Sequence, residues 1–249
     1  QSQRNIEGAG LITRLMLFPD SAAMPLGAYG LQSSALGDKV RSVFPNYDFD
    51  PLEAQAALAF LLLRYGVSVT VTLGPGGGAV FKKGVTLTSD GLAEGDIVNT
   101  PISFDFSHQA SREVQALMWD RVLKTADRLI TLLKSEEYAD GKSYWDHSMI
   151  YVATEFGRTR KRPPGAMTYG TGHELNNGSL IISPLVNGGK VLGGVDPDTI
   201  LTYGFDPQTG APQKGRTMTE QEIYSGIIQA LGVPTPGAGL PDMRAMRKA

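Results

Sequence analysis

The chemistry-bearing side chains of this chain are few. It has three histidines and no cysteine. His108 closes Phe104-Asp105-Phe106-Ser107-His108, and His173 lies in the glycine-rich stretch Tyr169-Gly170-Thr171-Gly172-His173-Glu174. Between them, Glu155 ends an apolar run in Thr154-Glu155-Phe156-Gly157-Arg158-Thr159. Neutral imidazole with carboxylate is a ligand set for zinc or another borderline divalent cation. Asp105, His108, Glu155 and His173 are therefore a candidate metal cluster, although no two of them form a compact ligand motif. The alternative is that Asp105 or Ser107 caps the helix that follows and that the histidines bond loop carbonyls. Arg158, at the same strand end as Glu155, could grip a phosphate or sulfate with its planar fork. A surface salt bridge is its other use. His147 stands at the amino end of a strand and reads as a surface or edge histidine.

Several other chemistries are excluded. Without cysteine there is no disulfide, thiol catalysis or Cys-ligated metal. Gly74-Pro75-Gly76-Gly77-Gly78 lacks the Gly-Lys-Ser/Thr ending and the helix of a phosphate loop. No serine sits in Gly-x-Ser-x-Gly, so no hydrolase elbow is indicated. Asn177-Gly178-Ser179 matches a glycosylation acceptor but reads as a turn. Asp196, Asp198 and Asp206 lack calcium-loop spacing and read as turn formers. A formal charge of -2 leaves no footprint for nucleic acid. The longest apolar run, Ala56–Leu63, is about half of a membrane span. The chain starts at Gln1 and shows no signal peptide, so it reads as a processed product or a fragment.

The elements that must position these residues follow from patterning. Hydrophobic content of 41% with 19% charge rules out disorder and coiled coil as the main organisation. Thirty glycines and 15 prolines predict long loops. Residues 1–50 read as irregular, with a short helix near Ile6–Leu17, packed on the core or on a partner. Asp50-Pro51-Leu52-Glu53 starts a helix that Gly66 ends. Val67–Leu73 alternates β-branched residues and predicts a strand; a hairpin through Lys82-Lys83-Gly84 and Val85–Thr88 follows. A long helix spans Ser111 to Lys134, with a stripe of Val114, Leu117, Met118, Val122, Thr125, Leu129, Leu132 and Leu133. Ser148–Thr154 reads as a buried parallel strand, and Ser179–Ser183 as a short one. Thr219 and Glu222 form a capping box for a last helix that buries Ile223, Tyr224, Ile227, Ile228 and Leu231. No internal repeat is evident. The fold class is α/β with a mainly parallel sheet and flanking helices over 51–235, and 236–249 is a loose tail.

In this order, an Arg-Tyr-Gly-Val turn, a strand, an aromatic-Asp…His turn, a long helix, a strand ending Glu-Phe-Gly-Arg-Thr and a Gly-rich loop with His, the chain resembles a known family. It is similar, from about Pro51 to Val233, to the C-terminal half of a sulfatase-like bacterial family of unknown function in the alkaline phosphatase superfamily. Thr154–Thr159 is the most specific piece. The resemblance implies an alkaline-phosphatase-like core, a periplasmic, cell-surface or secreted location, and metal-assisted hydrolysis of phosphate or sulfate esters. Asp105 and His108 match the family's aromatic-Asp-x-His turn, Glu155 and Arg158 its strand end, and His173 its Gly-x-Asp-His loop. Asp105, His108, Glu155 and His173 would be the metal ligands and Arg158 the catalytic arginine. Three features depart from the family. The turn has one extra residue between Asp105 and His108, Gly172 stands where the family has Asp, and the N-terminal strand that carries the nucleophile has no counterpart before Pro51.

Two readings follow. In the first, a divalent metal (zinc, otherwise magnesium or calcium) serves ester hydrolysis in an assembly whose nucleophile comes from a second chain or a further N-terminal segment. In the second, the chain is a degenerate, metal-free member that acts as scaffold or subunit of an exported assembly. Nucleic acid is not an expected partner, no transmembrane segment is expected, and oligomerisation is open.

Overall fold

The computed structural model describes residues 35–47, 50–75, 80–81, 97–99, 103–154, 157–158, 163–174, 177–233 and 239–248. The helix expected near Ile6–Leu17, the hairpin over 82–88 and Glu155 lie outside them. In chain order the helices are α1 (Ala35–Val43), α2 (Pro51–Arg64), α3 (Ser111–Lys134) and α4 (Glu220–Ala230). The strands are β1 (Val80–Phe81), β2 (Ile97–Asn99), β3 (Glu137–Ala139), β4 (Lys142–Ser143), β5 (Ile150–Val152), β6 (Gly157–Arg158), β7 (His173–Glu174), β8 (Leu180–Ile182), β9 (Gly194–Val195), β10 (Thr202–Phe205) and β11 (Pro212–Gln213). The chain is thus mixed helix and strand. It divides into two compact units, Gln1–Tyr138 with Ala166–Gly170, and Ala139–Gly165 with Thr171–Ala249.

In the first unit, α2 and α1 pack on α3. Asp50 caps α2, its carboxylate accepting the Leu52 N–H at 2.9 Å, and Pro51 opens the helix. Gly66 ends it at φ +65, a left-handed stop that costs glycine nothing. Helix α3 spans the expected residues and buries Val114, Met118, Thr125, Leu129, Leu132 and Leu133, while Leu117 stays exposed. Two ion pairs rivet the helices. Arg121 of α3 reaches the Asp50 carboxylate at 2.5 Å, and Arg128 reaches the buried Glu53. Burial pushes the Glu53 carboxyl above its usual range, against the pull of the Asn46 N–H and Arg128. Glu136, just after α3, accepts from Lys39 of α1 at 2.5 Å and from Arg64 of α2 at 2.9 Å.

The heptapeptide Val67–Leu73 forms no strand, and Val69 is 92% exposed. Strand-forming residues need a neighbouring strand to bond, because alternation alone satisfies no backbone group. Among the described residues Val69 and Val71–Leu73 have none.

The second unit corrects the expected parallel sheet. Every strand pair whose register is described is antiparallel: β1–β2 in the first unit, and β5–β8, β6–β7, β9–β10 and β10–β11 in the second. The apolar run at Ser148–Thr154 gives only Ile150–Val152, half-buried and laddered to Leu180–Ile182. A continuous apolar run reports burial, not strand direction, which is why the sequence misled. Strands β5 and β6 form one arm of a nested hairpin, and β7 and β8 the other.

Strands β9, β10 and β11 make a meander with two equivalent turns. Asp196 accepts the N–H groups of Asp198 and Thr199, and Asp206 those of Gln208 and Thr209. The aspartates are turn formers, as their Asp-Pro contexts predict. They also form a short repeat, Asp-Pro-x-Thr twice, where no internal repeat is expected. Asp196 titrates at about 2, held down chiefly by the Thr199 N–H and then by Lys214.

The tail expected to be loose is docked over 239–248. Met243 and Met246 are buried with Phe205 and Ala245, and Ile181, Leu192 and Met218 pack against them. Gln229 of α4 donates to the Pro241 carbonyl and accepts the Met243 N–H. The Met246 sulfur lies where a Cβ on Gly226 would sit, 2.4 Å away. Helix α4, with its Thr219–Glu222 capping box, therefore buries Ser225 and Gly226, whereas Tyr224 and Leu231, expected inside, are exposed. Small residues on that face admit the tail, and an apolar stripe rule looks only for large ones.

Candidate functional site

The candidate residues fall in two units, and each group is built locally. In the first unit, Asp105 and His108 sit on a 3-10 turn, Phe104–His108, just ahead of α3. Its inner side is bolted down. Ser107 is fully buried and accepts from the Gln115 amide at 2.8 Å. Gln115 in turn accepts the Trp119 indole N–H at 3.1 Å, and Trp119 meets the Phe104 ring edge-on at 5.5 Å. The outer side carries Asp105, Phe106 and His108 toward solvent.

Neither Asp105 nor Ser107 caps the long helix, contrary to one expectation. The N-cap is Ala110, with no side-chain bond. The glycine-rich loop does that work instead, since the Ser111 N–H donates to the Tyr169 carbonyl at 2.8 Å. The next residue, Gly170, presses so close to the turn that a Cβ there would lie 1.9 Å from the His108 carbonyl oxygen. The turn and the loop, about 60 residues apart in sequence, are thus in backbone contact. The tight approach explains a glycine at 170, a signal the sequence held but did not specify.

The Asp105 Oδ1 and His108 Nε2 atoms are 3.5 Å apart. That is long for a hydrogen bond. It matches two ligands of one tetrahedral ion, for donors about 2.1 Å from zinc at the tetrahedral angle are separated by roughly 3.4 Å. The side chains are 80% and 42% exposed, open to an ion from solvent. An exposed Asp–His ion contact three residues apart has the same spacing. Among the described residues no group of three or more such side chains gathers.

In the second unit, Arg158 and His173 are direct partners across the β6–β7 ribbon. Register decides this. From Ile150↔Ile182 to Val152↔Leu180 the ladder runs evenly. Continued unchanged it would set Arg158 against Glu174. Between Val152 and Gly157 the pairing moves by one residue, so that Gly157 faces Glu174 and Arg158 faces His173. A one-residue shift exchanges the faces of a strand, and here it sets Arg158 and His173 on one face of the ribbon, opposed residues carrying their Cβ atoms about 5 Å apart. The Asn177 amide donates to the Thr154 carbonyl and ties the two arms where the register changes. Four of the five candidate residues thus lie on two built pieces, Asp105 with His108 and Arg158 with His173. The supports of Ser107, Gln115, Trp119 and Gly170 were not foreseen. In comparison with known proteins, no family model, no curated protein and no solved structure matches the chain.

Proposed function

We propose that the chain contributes a divalent metal site and an oxyanion clamp to the hydrolysis of phosphate or sulfate esters, as part of a sulfatase-related protein exported to the periplasm or cell surface. The observation that carries this reading is the 3.5 Å spacing of Asp105 Oδ1 and His108 Nε2 on an exposed, braced turn. Asp105 and His108 would hold the ion, zinc by their chemistry. The ion supplies Lewis acidity toward the ester oxygen. Arg158 binds the nonbridging oxygens and neutralises charge as it builds, a role its fork geometry suits. His173, opposite it, adds a second donor to the same anion.

A second reading, a non-catalytic subunit, is favoured by Val69 and Val71–Leu73, sheet-forming residues whose backbone has no hydrogen-bond partner among the described residues, and by Gly172 in place of an acidic ligand. Metal content per purified chain, with aryl phosphate and aryl sulfate hydrolysis, separates the two. The first reading expects about one zinc per chain that is lost in an Asp105→Ala/His108→Ala variant. Metal-free protein with unchanged folding would favour the subunit.

A further inference from the structure

The chain holds two Asn-Gly pairs, Asn177-Gly178 and Asn187-Gly188, and the structure treats them differently. We propose that Asn177 is a site of spontaneous deamidation, and that its conversion unlatches the hairpin that pairs Arg158 with His173. In this reaction the deprotonated Gly178 nitrogen attacks the side-chain amide carbon of Asn177. A ring C–N bond forms, the amide C–N bond breaks and ammonia leaves. Water then opens the cyclic imide at either carbonyl, giving aspartate or isoaspartate. No oxidant or reductant takes part.

The step needs a free nucleophile, room, and a backbone able to swing. Gly178 is exposed, makes no hydrogen bond among the described residues, and has no atom within 4 Å of where a Cβ would stand. Among the described residues one bond restrains the pair, from the Asn177 amide to the Thr154 carbonyl. At Asn187-Gly188 the nucleophile is engaged, since the Gly188 N–H donates to the Val186 carbonyl at 3.0 Å. The Asn187 N–H donates to the Met246 carbonyl at 2.9 Å, and the Val186↔Arg247 bridge adjoins it. One additional hydrogen bond to break, worth about 1 kcal/mol, slows Asn187 by roughly five-fold relative to Asn177.

The consequence lies in what Asn177 holds. Its amide is the donor that bridges the arms where the ladder shifts register. A carboxylate there offers only acceptors to the Thr154 carbonyl, and isoaspartate also lengthens the backbone of that arm. The link is broken on either product, in one direction and without an enzyme.

The test is a time course of the intact protein in mildly alkaline buffer at physiological temperature, read by peptide mass mapping. Asn177 is expected to convert first, with Asn187 about five-fold slower, and Gly178→Ala is expected to slow the Asn177 reaction. Equal rates, or Asn187 leading, would overturn the site assignment. Asn177→Asp, which mimics the product, is expected to speed hydrogen exchange at Ile150–Val152 and Gly157–Arg158, with Asn177→Gln as an amide-retaining control. Exchange as in the unmodified protein would overturn the latch.

Discussion

Gly170→Ala tests the contact on which the candidate site is built. The added Cβ would lie 1.9 Å from the His108 carbonyl oxygen and 2.8 Å from its carbonyl carbon. An ordinary C···O contact is about 3.3 Å, so roughly 1.4 Å of separation must be found. Both sides of the clash are backbone, so no side-chain rotation relieves it. Overpacking of this kind costs about 1–3 kcal/mol. Moving the loop also strains the Ser111 N–H bond to Tyr169, 2.8 Å long, worth about 1 kcal/mol. Together the loss is about 2–4 kcal/mol, which for a chain of this length lowers the thermal midpoint by about 4–16 °C. Gly188→Ala is the control, because no atom lies within 4 Å of its Cβ position and the effect should stay within about 1 kcal/mol. Differential scanning calorimetry gives the midpoints, and zinc titration of both variants reads the turn. Displacing His108 should weaken zinc binding in Gly170→Ala and leave it unchanged in Gly188→Ala. If the two variants melt together, the close approach of loop and turn is wrong and the reasoning fails.

Other perturbations read the surrounding structure. Arg121→Met leaves the buried Asp50 carboxylate without its guanidinium and should cost about 3 kcal/mol in denaturant unfolding; a loss below about 1 kcal/mol would show that the pair contributes little. Ile200 occupies the left-handed region at φ +57, where the equivalent position of the second turn is Gly210 at φ +78. Ile200→Asn should therefore raise stability by roughly 1 kcal/mol, and a lower melting midpoint would mean that Ile200 packing outweighs its strain. Lys39, then Arg64, hold the Glu136 carboxyl below its ordinary range. A depressed carboxylate stabilises above the unfolded value of about 4.3 and loses that contribution as pH falls through its folded value. Midpoints of wild type and Glu136→Gln should thus differ near neutrality and converge in acid, and a gap that stays constant with pH contradicts this.

The helices were legible because their signals are local. Asp50-Pro51, Thr219 with Glu222, and Gly66 each act within one turn of chain, and all three cap as expected. Strand direction was not legible, because Ile150–Val152 reads equally well in a parallel or an antiparallel sheet. Its partner, Leu180–Ile182, is set by long-range register. The tail was misjudged because its anchors are small or polar: Gly226 admits Met246, and Gln229 bonds the tail backbone. Of the site, residue types pointed to Asp105, His108, Arg158 and His173. The one-residue register shift that opposes Arg158 to His173 leaves no mark in composition or periodicity. Nor does the backbone approach of Gly170 to His108, beyond the glycine itself.

The most direct measurement is zinc binding by isothermal titration calorimetry to the wild-type protein and to Asp105→Ala/His108→Ala, with circular dichroism to confirm that both are folded. The account predicts a saturable site near one zinc per chain in the wild type, lost when the two side chains that stand 3.5 Å apart are removed. Equal zinc binding by a folded double variant, or none by either protein, would contradict it.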